Sequence, residues 1–105
     1  PWHPFHVGMA GLHPNCIEWL HDRDISVLGC DGVSDVLPGN HPDDWVMPIH
    51  QTVIVAMGVH LLDNLRLDRL AAACNQHSQW SFLFTVAPLR VEGGTGSPAN
   101  PIALL

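Results

Sequence analysis

Residues 80 to 91 place the strongest constraint on what this chain can fold into. Phe82, Phe84 and Val86 alternate with Leu83 and Thr85, so the segment is apolar on both faces. A strand of that kind belongs in the interior of a sheet covered on both sides. Pro88, near its end, implies an edge position or a bulge there, because proline brings no N–H to the ladder. Helical periods and shorter strands precede it. Pro14 suits the first position of a helix, and Ile17, Leu20 and His21 recur at three- and four-residue steps, which predicts an amphipathic helix over residues 14 to 23. Residues 25 to 29 form an apolar run that ends in Cys30-Asp31-Gly32, the pattern of a buried strand reaching a loop. Thr52-Val53-Ile54-Val55 would be strand by propensity. Pro48, Gly58 and the spacing of Ile49, Val53, Ala56 and Met57 instead predict a largely buried helix over residues 48 to 58. A short strand over residues 59 to 62 follows. Asp63 and Asn64 then offer capping side chains to a third helix near residues 67 to 76, with Leu67, Leu70, Ala71 and Cys74 on one face. A glycine-rich turn at residues 93 to 98 and a last apolar segment at 101 to 105 complete the order of an α/β domain.

The chain of 105 residues is one domain or a fraction of a larger one. Hydrophobic residues make up 47%, which excludes disorder, whereas charged residues make up only 13%, roughly half the usual share of about 25%. Much of the surface is therefore expected to be covered by other protein. Net charge is −6, and Arg23, Arg66, Arg69 and Arg90 are scattered, so no basic patch exists to neutralise phosphates and nucleic acid is excluded as a partner. Apolar runs fall short of the roughly 18 residues of a membrane span, and no leader-like segment opens the chain, so a soluble, cytoplasmic protein is expected. Cys16, Cys30 and Cys74 are odd in number and lack a Cys-x-x-Cys pair, which argues for small apolar filler rather than disulfides or a cysteine zinc site. Starting at Pro1-Trp2-His3-Pro4, without Met or any period, the sequence reads as the interior of a longer polypeptide.

Residues 31 to 47 hold glycines, prolines and four aspartates with no sustained period. Loops longer than about 12–15 residues are usually functional or disordered. Val33, Val36, Leu37 and Trp45 predict that this one is packed and lines a site or an interface. Within it, Asp31, Ser34 and Asp35 can serve either a polar ligand or the capping of turns. The Gly93-Gly94-Thr95-Gly96-Ser97 run is not a phosphate cradle, because Pro98 to Pro101 follow in place of a helix start and the chain has no Lys.

His50 opens the apolar helix, where an imidazole meets the positive end of the dipole, an arrangement that favours the uncharged ring a general base or metal ligand needs. Its plain alternative is a histidine satisfied by local backbone. Asp63 follows 13 residues later, at the end of a strand and beside a helix start; it is either a simple cap or a partner of His50 across a pocket mouth. His3, His6 and His13 invite a metal reading, but Pro4, Gly8 and Gly11 split them so that no helical face collects them. His60 and His77 are ordinary surface residues on this reading.

The ordered motifs Gly11-Leu12-His13-Pro14, Leu28-Gly29-Cys30-Asp31-Gly32-Val33-Ser34-Asp35, Pro48-Ile49-His50-Gln51, Leu62-Asp63-Asn64 and Gly93 through Ala103 resemble the cyclase family of metal-dependent hydrolases. Bacterial kynurenine formamidase and isatin hydrolase are members. The resemblance extends over nearly the whole chain and corresponds to the C-terminal part of the family's domain. It implies an α/β fold of the swivelling β/β/α kind, a homodimer or homotetramer, and a divalent zinc or manganese that activates water against an amide, formamide or lactam carbonyl. The family's His-x-Gly-Thr-His-x-Asp metal motif lies in its N-terminal half. Here His6-Val7-Gly8 echoes only the start, with Met9, Ala10 and Leu12 in place of Thr, His and Asp, so the main ligands are expected outside this chain. By the same resemblance His50 and Asp63 are the catalytic candidates, and Asp31 and Ser34 belong to a substrate-pocket or subunit-contact loop. Asp63 stands where many members have Glu, and its distance from His50 is one residue longer than in the formamidase branch. The rival expectation is a non-catalytic piece whose role is packing and oligomerisation.

Overall fold

In a computed structural model, residues 8–39 and 45–105 are described. The chain divides into two compact units, Pro1–Arg66 and Leu67–Leu105. Their mixture of helices and strands is consistent with the α/β class.

In the first unit, helix α1 spans Cys16–His21. It is shorter than the 14 to 23 expected because Pro14 and Asn15 form a turn ahead of it, and because Asp24, at φ 49°, turns the chain out of the helical region behind it. Strand β1 (Val27–Gly29) pairs in parallel with β2 (His60–Leu62), in the register Val27 to His60, Leu28 to Leu61 and Gly29 to Leu62. Between them runs the loop from Cys30 and then a helix that starts at Pro48.

That helix becomes a π-helix over His50–Ala56. The Met57 N–H reaches back five residues to the Thr52 carbonyl at 3.1 Å, and the Val59 N–H reaches the Val53 carbonyl at 3.0 Å. Gly58, at φ 68°, then reverses the chain into β2. Only one face is buried. Ile49 and Val53 are wholly enclosed, whereas Val55 is 82% and Ile54 46% exposed, which corrects the expectation of a largely buried helix. Leu20, Ile49, Val53 and Val59 form the core of this unit, with Leu12, Ile17, Ile25, Leu28, Met57 and Leu61 against it.

The loop after β1 is packed in its first half. Leu37 is buried and Val33 and Val36 are half-buried, but Trp45 is exposed, contrary to expectation. Residues 8 to 12 stitch this half in place. Met9 and Leu37 exchange backbone hydrogen bonds at 2.6 and 3.0 Å, the Leu12 N–H donates to the Ser34 carbonyl at 2.8 Å, and the Val36 N–H donates to the Leu12 carbonyl at 3.2 Å.

In the second unit, helix α2 spans Asp68–His77 and buries Cys74. No side chain caps its start, so Asp63 and Asn64 do not have the capping role expected of them. Ser78, at φ 49°, ends it, and the Gln79 N–H closes on the Cys74 carbonyl at 3.0 Å. The 80 to 91 segment yields only β3 (Leu83–Thr85), antiparallel to β4 (Ile102–Leu104). Leu83, Phe84, Ile102 and Leu104 are exposed in this pair. The two-sided cover that the sequence predicts is absent from the described residues. No helix among them is long and apolar enough to cross a membrane.

Candidate active site

Gly29 pairs with Leu62 at the ends of the two parallel strands, so the residues that follow, Cys30 and Asp63, leave the sheet side by side. The Cys30 N–H donates to the Leu62 carbonyl at 3.0 Å, and the Asn64 N–H donates to the Gly32 carbonyl at 2.8 Å. The start of the π-helix completes a cluster at the carboxyl end of the strands, the usual place for a site in a parallel sheet.

Three side chains form a line through this cluster. Asp35 is wholly buried; its Oδ1 accepts the Ile49 N–H at 2.7 Å, and its Oδ2 accepts the His50 N–H at 3.2 Å. The same Oδ2 lies 2.5 Å from Nδ1 of His50. On the far side of the ring, Nε2 is 3.1 Å from Oδ2 of Asp63. Asp63 is itself fixed, its Oδ1 accepting the Ser34 hydroxyl at 2.7 Å and the Ser34 N–H at 3.2 Å. The Cys30 thiol lies 3.5 Å from that oxygen and 3.1 Å from the Gly32 carbonyl. His50 and Asp63 keep 26% and 21% of their side chains open to solvent, whereas Asp35 keeps none.

A proton count defines what this line can do. Asp35 takes only N–H donors from the backbone, so the group facing it from the ring is Nδ1–H. The working atom is then Nε2, which shares with Asp63 Oδ2 the position of a single proton. Such a pair can take up or release that proton at one accessible edge.

His50 and Asp63 thus face each other, as one of the two sequence readings has it, although neither lines a cavity among the described residues. Ser34 is buried and its hydroxyl donates to Asp63. Asp31 is exposed and stands apart from the line, although it shares with Ser34, Cys30 and Val33 the wall of a shallow cavity of about 170 Å³. His13 accepts the Asn15 N–H on its ring at 3.3 Å, and His60 and His77 are exposed. His3 and His6 lie outside the described residues. Asp35 is the residue that local reading undervalued. Its backbone partners lie 14 and 15 positions away, and no local pattern marks a cap delivered across a loop.

As to a metal, no group of three or more His, Cys, Asp or Glu side chains among the described residues could hold one. His50 Nε2 and Asp63 Oδ2 are two donors of suitable chemistry, and a histidine whose other nitrogen is held by a carboxylate is the usual form of a ligand. The described residues therefore fit as part of a metal site and not as a whole one.

The chain is similar over 93% of its length to the crystal structure of a novel cyclase, with a TM-score of 0.80 and 26% sequence identity. Its fold is similar to part of that cyclase. The match spans 31% of the length of that cyclase. No family model matches the sequence, and a comparison with curated proteins gives no match. The cyclase neighbour supports the family part of the sequence resemblance and leaves its particular activities to be argued from the site.

Proposed function

We propose that residues 1–105 serve as the C-terminal portion of a swivelling β/β/α metal-dependent hydrolase domain that opens a cyclic amide, formamide or lactam, of the arylformamidase or isatin hydrolase type. The observation that carries this reading is His50 suspended between Asp35 and Asp63, with Nε2 3.1 Å from Asp63 Oδ2 and 26% of the histidine side chain open to solvent. Divalent zinc or manganese, when bound, supplies Lewis acidity towards the carbonyl oxygen and eases the deprotonation of water. Asp63 Oδ2 is the atom of this chain that would join its ligands, the rest coming from a preceding segment of a longer polypeptide, and His50 Nε2 stays free to carry a proton. In the reaction His50 Nε2 holds the proton that leaves the attacking water and returns it to the departing nitrogen. Ser34 and Cys30 keep the Asp63 carboxylate turned to the ring. Self-association as a homodimer or homotetramer belongs to the same proposal.

The test is steady-state hydrolysis of an N-formyl aromatic amine and of a fused lactam by the longer polypeptide, with metal content measured beside the rates. His50→Ala is expected to lower turnover roughly 10²–10⁴-fold, the usual share of general acid–base catalysis, with Asp63→Asn having a smaller or comparable effect. A His50→Ala protein that keeps its metal and full turnover overturns the proposal and leaves packing and oligomerisation as the role of this chain.

A further inference from the structure

We infer that Asp35 is a positioning residue that sets the tautomer of His50. All three hydrogen bonds that its buried carboxylate makes among the described residues go to the same short stretch of chain. Oδ1 holds the Ile49 N–H, and Oδ2 holds both the His50 N–H and the His50 ring. The two backbone bonds anchor the first turn of the helix, and with the ring contact they fix where the imidazole stands and how it is rotated. Two backbone N–H donors favour the ionised carboxylate, which can only accept, so Nδ1 carries the proton that faces it and Nε2 is left to Asp63. A plain helix cap would need only the backbone bonds. The ring contact at 2.5 Å is what makes the same carboxylate control the chemistry of the histidine. This inference deepens the proposed hydrolase site by naming what orients its histidine, but the proton position can be read without any activity.

The experiment is nitrogen NMR of the chain with ¹⁵N-labelled histidine, with the His50 resonances assigned by their loss in His50→Gln. The parent chain is expected to show a strongly deshielded proton on Nδ1 of His50. In Asp35→Asn the side chain keeps its shape and an oxygen for the Ile49 N–H, but it turns an N–H towards the ring. Nδ1 must then accept, and the proton is expected to move to Nε2. A parent His50 protonated only at Nε2 overturns the inference whether or not the variant folds, as does a folded Asp35→Asn chain that keeps Nδ1–H. In the longer polypeptide the same variant is expected to lower kcat by about 10–100-fold with little change in KM, on the scale seen when a working histidine loses the carboxylate that orients it. Loss of tautomer control there with unaltered turnover would sink the hydrolase proposal and leave Asp35 as the residue that sets the ring.

Discussion

Gly11 lies against the backbone of Asp35 so closely that a Cβ at position 11 would stand 2.2 Å from the Asp35 carbonyl carbon and 2.3 Å from its oxygen. Real Cβ atoms do not approach peptide groups to such distances, so one of the two segments has to move. Since Leu12, next to Gly11, is bonded to both Ser34 and Val36, a shift of this stitch carries the buried carboxylate away from Ile49 and His50.

Gly11→Ala is therefore expected to cost more than an ordinary overpacking substitution of roughly 1–3 kcal/mol, because it also loosens a buried charge. Breaking such a contact from one side costs about 3–5 kcal/mol. Urea unfolding followed by tryptophan fluorescence measures it. A stability within about 0.5 kcal/mol of the parent, the range of neutral surface changes, would show that the loop yields freely and that Gly11 does not hold Asp35.

The π-helix carries a second expectation. Its start is tied to Asp35 and its end to β2, which is held by β1. The five-residue step accommodates an extra residue between these two ties. Val55, 82% exposed, contributes least to packing. Its deletion is expected to return the segment to α-helical hydrogen bonding, keep the His50 to Asp63 pair and leave stability within about 1 kcal/mol of the parent. Ile49→Ala, by contrast, should cost about 2–5 kcal/mol as a cavity in the core. Denaturant unfolding of the two variants checks the contrast, and a ΔVal55 chain that does not fold refutes this account of the helix.

Which parts of this structure were legible depends on how far each residue's partner lies. Ile49 and Val53 are four apart on one buried face and Gly58 supplies the positive φ that ends the helix, so the segment could be placed from local spacing alone. Its π form could not, because Thr52 to Val55 have no preference that separates a four-residue from a five-residue hydrogen-bond step. Helix α2 emerges within a residue of its expected bounds for the same local reason. The 80 to 91 segment was overread. Its two-sided apolar pattern records a demand for cover, and pairing of Leu83–Thr85 with a single strand supplies none. At the site, His50 and Asp63 were found through motif resemblance and the helix start, whereas Asp35 reads locally as one more loop aspartate.

The unmet cover at β3 and β4 leads to a third expectation. Leu83 stands opposite Leu104 in the register, and the two are 62% and 56% exposed. Two-stranded sheets are marginal by themselves in water, and an apolar edge invites further pairing. The purified chain is expected to associate at micromolar concentration in sedimentation velocity, and Leu83→Ser with Leu104→Ser is expected to reduce that association. A monomer at all concentrations, indifferent to the double substitution, would show that these side chains find adequate cover within the chain.

Metal binding supplies the last expectation. His50 Nε2 and Asp63 Oδ2 are two donors, and their side chains are already engaged with each other at 3.1 Å. A divalent ion held tightly needs about three or four ligands of fixed geometry, and among the described residues no third His, Cys, Asp or Glu completes such a set. Calorimetric titration of the 105-residue chain with zinc and with manganese is therefore expected to show no tight one-to-one binding. A longer polypeptide that brings further ligands beside Asp63 should bind one ion, and Asp63→Asn should weaken that binding by removing a charged donor. Tight stoichiometric binding by the short chain, retained in both His50→Ala and Asp63→Asn, would mean that the metal sits elsewhere and that the line from Asp35 to Asp63 is not its seat.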